Sequence, residues 1–243
     1  MRQVADILAG FEVLPKAGVH DVLQGQKALI LAPHPDDESL GCGGLIAAAC
    51  AAGLPPIVAI MTDGAASHPG SGAFPPARLA ALRELEVREA VATLGLPPEH
   101  LFLLHYADTH LPESGAEFDA ACIQVALIAA ETGCKSLLAP WRGDPHCDHQ
   151  AAAMIADAVA ARGGLRLLSY PVWGWLRNEA EMVDEPRCGG WRLDITAHLA
   201  AKQAAISCHK SQYGGLITDS PDGFQLPDSL LAVFARPFEV FIA

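Results

Sequence analysis

The chain predicts a doubly wound α/β fold, a mainly parallel sheet with helices on both faces, and three observations carry that prediction. Short runs that are apolar at consecutive positions alternate with longer Ala- and Leu-rich stretches, and strands of a sheet covered on both sides have that uninterrupted apolar character. Five such runs occur before residue 173, and strand and helix in strict alternation form βαβ units. About half of the 243 residues are apolar, enough for one sizeable core. A single domain over 1–243 is therefore expected, with 1–24 a peripheral N-terminal segment and 173–243 an extension of the same domain.

Taken in order, MRQVADILAGFEVLPKAG opens the chain with Asp6 and Glu12 inside its apolar positions, so it reads as a peripheral helix and not as a secretion signal. KALILA (27–32) is the first strand, followed by a helix over 41–53, the strand PIVAIMT (56–62) and a helix over 77–95. HLFLL (100–104), a helix over 117–133, KSLLAP (135–140), a helix over 149–162 and LRLLSYPV (165–172) continue the alternation. Beyond it come WGWLRNEAE, a helix over 196–210, a Gly/Pro/Asp-rich loop at 214–229 and a final apolar FEVFIA.

The formal charge of −12 leaves no basic cluster to neutralise phosphates, which excludes nucleic acid as an expected partner. No uncharged apolar run reaches the ~18 residues of a membrane span. The seven cysteines, Cys42, Cys50, Cys122, Cys134, Cys147, Cys188 and Cys208, are odd in number and contain no CxxC pair. That pattern predicts reduced thiols, most of them packed as small apolar groups, and a cytoplasmic location. Cys147 sits between two histidines, but its neighbours already supply ligands with better spacing.

Chemistry is concentrated just after two of the strands. The first is followed by PHPDDE, the fourth by PWRGDPHCDHQ. In a doubly wound sheet the first strand is central and a later one joins on its other side, so these two loops meet at the point where the connections reverse and ligands bind. His34 and Asp37 then face His146 and His149, and two imidazoles plus a carboxylate make the ligand set of a catalytic zinc. Asp36, next to Asp37, can face the open side of such an ion as a proton acceptor. Two carboxylates so close repel unless a cation lies between them or one is protonated. Each motif alone also has a plain reading: HPDD as a solvated turn, and Asp148 as the acceptor that starts the following helix. The glycines of LGCGG are a weak phosphate fingerprint and read better as small residues that bring a helix close to the sheet.

APHPDDESLGCGG followed by PWRGDPHCDHQAA resembles the PIG-L, or LmbE-like, family of zinc-dependent N-deacetylases, and TDG (62–64), Arg83, Glu86, Asp108 and HKSQY (209–213) extend the likeness over most of the chain. The resemblance implies a Rossmann-like fold, zinc held by His34, Asp37 and His149, Asp36 as general base, and His146 as the imidazole that steadies the oxyanion or protonates the leaving amine. It also implies substrate contacts from Arg83 and from Asp108, the latter to a sugar hydroxyl. The helical wheel places Arg83 and Glu86 on the apolar face of their helix, so an Arg83–Glu86 pair bracing the loop around Asp63 is the alternative. His209 either orients a ligand or is a helix-terminal histidine satisfied by carbonyls. Trp141, Trp173 and Trp175 either stack on a sugar or fill the core.

The expected reaction is hydrolysis of an N-acyl group, of the N-acetylglucosamine type, on a small-molecule or glycoconjugate substrate. An amidase for non-sugar N-acyl compounds is the alternative, then a non-haem Fe(II) enzyme with the same two-His-one-carboxylate set, then a noncatalytic sugar- or metal-binding protein. Fe2+ or another divalent ion is the alternative to zinc.

Overall fold

The computed structural model describes residues 1–186 and 189–243, so Cys188 lies outside the described residues. The elements run β1 (Arg2–Gln3), α1 (Val4–Val13), β2 (Lys16–Ala17), α2 (Val19–Leu23), β3 (Ala28–Ala32), α3 (Asp37–Ala51), β4 (Ile57–Thr62), α4 (Pro76–Thr93), β5 (Leu101–Tyr106) and α5 (Gly115–Thr132). They continue with β6 (Ser136–Pro140), α6 (Cys147–Gly163), β7 (Arg166–Tyr170), β8 (Met182–Val183), β9 (Gly190–Asp194), α7 (Leu199–Cys208), α8 (Lys210–Tyr213), α9 (Asp228–Phe234) and β10 (Phe238–Ile242).

One eight-stranded sheet has the order β2-β9-β10-β7-β6-β3-β4-β5. The five strands expected from the apolar runs are mutually parallel, and β10 is antiparallel to both β7 and β9. Every residue of β3, β4 and β6 is buried. The pleat sends alternate side chains of these apolar runs to opposite faces. Ala28, Ile30 and Ala32 thus join the core under α3, α4 and α7, while Leu29 and Leu31 join the core under α5 and α6. Both faces are covered, which is why none of these strands shows polar alternation.

The ends add detail that local pattern did not give. Within 173–243, β9 and β10 continue the same sheet beyond β7. β9, with the sequence GWRLD, was hidden because most of its residues are only half-buried and its apolar pattern is mixed. The N-terminal segment is peripheral only in its position along the sheet. Ile7 and Phe11 of α1 pack with Trp141, Val240 and Ile242, and Val22 and Leu23 of α2 are fully buried. The six described cysteines are free thiols, Cys147 alone among them exposed.

Helix α3 begins at Asp37, four residues before the glycine run where periodicity placed it. The glycines bring it against its neighbours as expected. An ideal Cβ at Gly41 would stand 2.2 Å from the Tyr170 ring and one at Gly44 would stand 2.4 Å from Ile195. No helix among the described residues is long and apolar enough to cross a membrane.

Candidate metal centre and catalytic pocket

Parallel neighbours β3 and β6 lie side by side, and the helices that follow them, α3 and α6, cover opposite faces of the sheet. The crevice between their C-terminal ends is therefore a topological switch point. His34 and Asp37 enter it from the β3 side, His146 and His149 from the β6 side.

Asp37 Oδ2 is 3.1 Å from His34 Nδ1 and 3.2 Å from His149 Nε2. The same oxygen accepts the His34 backbone N–H at 2.9 Å. His149 is fully buried, and its Nε2 makes no hydrogen bond despite that short approach. Ring nitrogens of His34, His146 and His149 come within 4.8 Å of one another. An unpartnered imidazole nitrogen, a second one and a carboxylate oxygen converging in a buried place form a donor set that fits a divalent cation.

The outward nitrogens are held in turn. His149 Nδ1 is 2.9 Å from Asp144 Oδ2, and His34 Nε2 is 3.1 Å from Asp148 Oδ2 and 3.3 Å from Asp108 Oδ1. Carboxylates on those nitrogens keep the protons there and leave the inner nitrogens as lone pairs. His34, Asp108 and Asp148 also make a compact group of their own, but its oxygens are already engaged. Asp148 accepts from Thr109 N at 2.7 Å and Leu111 N at 3.0 Å, and Asp108 accepts from Ala66 N at 2.9 Å. That group is a scaffold for the His34 ring.

The field of the cluster calls for positive charge. Burial works against a charged His149, yet Asp37 and Asp144 outweigh it and raise its pKa to about 9. Burial likewise opposes charge on His34, and Asp108, Asp148 and Asp37 together push it well above the ordinary value. Burial would raise Asp37, but His149 and His34 hold it well below the usual carboxylate range. A cation bound here takes the place of those protons.

Asp36 sits on the pocket side of Asp37 at φ 138°, a backbone conformation that an aspartate rarely adopts. Its N–H donates to Glu38 Oε2 at 2.9 Å. Glu38 Oε1 in turn accepts from Ser39 Oγ at 2.6 Å and lies 3.0 Å from His209 Nε2. Glu38 was no candidate in the sequence, although it completes the DDE run: it braces the turn that presents Asp36. Burial pushes the Asp36 carboxyl up to about 7, while Arg83 opposes the rise and Asp37 adds to it.

Arg83 pairs with Asp36 and not with Glu86. Its Nη2 lies 3.2 Å from Asp36 Oδ2 and donates to Pro35 O at 2.6 Å, and its Nη1 donates to Gly64 O at 2.9 Å. Glu86 faces the other way and accepts from Ser211 N at 2.8 Å and Ser211 Oγ at 2.6 Å. His209 meets the Glu38 carboxylate where carbonyls were the alternative. Asp148 is not the helix cap: His146 precedes α6 and its Nδ1 accepts from Asp148 N at 3.2 Å. Cys147 Sγ stands 3.9 Å from His146 Nδ1, at the rim.

The cluster forms the floor of a cavity of about 510 Å³ lined also by Arg83, Asp108, Gln212, Trp173, Asp222 and Phe224. Of the three tryptophans only Trp173 lines it, edge-to-face with Phe224 at 5.4 Å. Trp141 is fully buried and donates to Glu185 Oε2 at 2.5 Å, and Trp175 packs on Phe11. The 214–229 loop thus reaches the pocket through Asp222 and Phe224.

A mainly parallel sheet with paired His/Asp loops at its switch point is an α/β architecture that holds its ligand site beyond the carboxyl ends of the strands. The family model for PIG-L, GlcNAc-PI de-N-acetylase, matches residues 29–160, more than half of the chain, and the protein belongs to that family. It is accordingly a hydrolase of the N-deacetylase class. Similar solved structures include N,N'-diacetylchitobiose deacetylase from Pyrococcus horikoshii, 24% identical over 90% of this chain and 80% of that one, with a TM-score of 0.64. The conserved protein TT1542 from Thermus thermophilus is 28% identical over 77% and 80%, with a TM-score of 0.59. The zinc-inhibited form of teicoplanin deacetylase Orf2 is 16% identical over 89% and 97%, with a TM-score of 0.67, a likeness of fold. No curated protein matches the sequence significantly.

Proposed function

We propose that the chain, acting as one catalytic domain over 1–243, is a zinc-dependent N-deacetylase that removes an acetyl or related acyl group from an amino sugar or glycoconjugate of the N-acetylglucosamine type. The observation that carries this reading is the contact of Asp37 Oδ2 with both His34 Nδ1 and the unpartnered His149 Nε2, at 3.1 and 3.2 Å, beneath a pocket into which Asp36 opens. His34, Asp37 and His149 would hold the ion. When bound, it would polarise the acyl carbonyl and bring the pKa of water down toward ~7.

The remaining work falls to the chain's own side chains. Asp36 takes the proton of the attacking water on its carboxylate. Arg83 keeps that carboxylate aimed by the 3.2 Å contact from Nη2, and the Glu38 bond to Asp36 N holds the strained turn. His146 Nδ1 is committed as an acceptor to Asp148 N, so the neutral ring carries its proton on Nε2. That N–H is the donor required where the carbonyl oxygen becomes negative, and either it or protonated Asp36 can deliver a proton to the departing nitrogen. Asp108 and Arg83 line the pocket, and a sugar ring there would meet them with their charged atoms already held by His34 and Asp36.

The test is release of free amine from a panel of N-acetylated sugars by the zinc-loaded protein and by Asp36→Asn. The variant should retain its metal and lose about 10²–10⁴ in kcat. Near-normal turnover by a metal-loaded Asp36→Asn protein would remove Asp36 from the reaction.

A further inference from the structure

The charge of the pocket narrows the substrate beyond its acyl amine. The family description names a phosphoinositol-linked amino sugar, and a phosphate group needs a free cation or a set of open N–H donors to receive it. Among the described residues that line the cavity the carboxylates are Asp36, Asp37, Asp108 and Asp222, and the one Lys or Arg is Arg83. Arg83 is buried, both its terminal nitrogens are bonded to Gly64 O, Pro35 O and Asp36, and its one unpartnered nitrogen, Nε, is itself buried. Four backbone donors at or beside the cavity are taken as well. Glu38 holds Asp36 N, Asp108 holds Ala66 N, Asp148 holds Thr109 N, and His146 holds Asp148 N. A divalent ion in the floor together with Arg83 would offset Asp36, Asp37 and Asp108, so the rim keeps the negative sign of Asp222.

That outer half is also aromatic. Trp173 and Phe224 meet edge-to-face at 5.4 Å and stand in the same wall as Asp222. An aromatic pair beside an exposed carboxylate suits the apolar face of an uncharged sugar or an ammonium group, and it repels a phosphate.

We propose that the site selects N-acyl amino sugars whose remainder is uncharged or cationic and discriminates against phosphorylated ones, with Asp222 as the charge filter at the rim. This rests on the deacetylase reading above and specifies its substrate.

Two measurements separate the two claims. The first compares kcat/KM of the zinc-loaded protein on N-acetylglucosamine, N-acetylglucosamine 6-phosphate and mono-N-acetylated chitobiose, which carries one ammonium group. The phosphorylated sugar should be poorer than the neutral one by at least about tenfold. The gap should narrow at high salt and in Asp222→Lys, because an exposed charge acts through screened solvent. Equal or better turnover of the phosphorylated sugar, or an unchanged ratio in Asp222→Lys, overturns the proposal. The second measures binding of glucosamine and glucosamine 6-phosphate to the metal-free protein by calorimetry. A phosphate deficit that Asp222→Lys reduces supports the filter, and no deficit, or one that Asp222→Lys leaves unchanged, overturns it. Failure to release amine from any substrate would defeat the deacetylase reading, and the binding comparison would still decide the filter.

Discussion

Replacing Asp144 by alanine would strand four donors at once. In the fully buried wild-type carboxylate, Oδ2 faces His149 Nδ1 at 2.9 Å and accepts from Val172 N at 3.0 Å and Trp173 N at 3.2 Å, while Oδ1 accepts from Gly174 N at 2.6 Å. Each buried donor left without a partner costs about 1–3 kcal/mol. The low end for four such groups is about 4 kcal/mol, a large part of the ~5–15 kcal/mol that holds a domain folded. The chain at 172–174 can relax, so the low end is the appropriate figure. The same carboxylate keeps the proton of His149 on Nδ1, and losing such a support costs about 10–100-fold in metal affinity. Asp144→Asn separates the two effects. With its oxygen toward the three donors at the Oδ2 position, His149 Nδ1 keeps its acceptor, while the amide nitrogen meets Gly174 N–H and strands both groups, a loss of at least about 2 kcal/mol. Urea unfolding of chelator-treated protein reads the stability, and competition with a zinc-binding chromophore reads the affinity. An alanine variant that lost less than about 1 kcal/mol and bound zinc as tightly as wild type would refute the view that Asp144 orders this site.

Gly41→Ala should destabilise the protein by about 1–3 kcal/mol in thermal or urea unfolding, because its new Cβ would stand 2.2 Å from a Tyr170 ring whose hydroxyl is tied to Leu31 O at 2.6 Å; a neutral effect would show that the ring can move. His209 supplies the pH prediction: burial alone lowers its pKa, Glu38 outweighs it, and the folded value ends above 6.5. Its contribution to stability is therefore complete below that ordinary value and is lost as pH rises through the folded pKa. The stability gap between metal-free wild type and His209→Gln should shrink from pH 6 to pH 9 in urea titrations, and a gap that widened over that range would contradict the Glu38–His209 pairing.

Much of the fold was legible because burial on both faces leaves a simple mark. Ala28–Ala32, Ile57–Thr62 and Ser136–Pro140 are buried at every position, so their apolar runs stand out without any knowledge of partners. Arg166–Tyr170 carries a similar run. Gly190–Asp194 and Lys16–Ala17 lie toward the sheet's outer edge, where half-exposed residues mix polar and apolar character, and no local pattern marks them. Helix starts were misplaced for a related reason. Asp37 and Glu38 are buried in the first turn of α3, whereas a pattern based on apolar periodicity begins at the glycines.

What the sequence determined by itself was the alternation of strands and helices and the placement of two His/Asp motifs just after two of those strands. Both are local properties: strand and helix periods span a few residues, and His34, Asp36 and Asp37 are held together by one turn of chain. What only the tertiary structure decided was the pairing across the fold. Asp148 and Asp108 take His34 Nε2, Asp144 takes His149, Arg83 turns to Asp36 and away from Glu86, and Glu38 meets His209 from 171 residues away. A carboxylate does not record in its neighbours which distant donor it will meet. That choice is made when the sheet closes and every buried polar group has to find a partner in the space that remains.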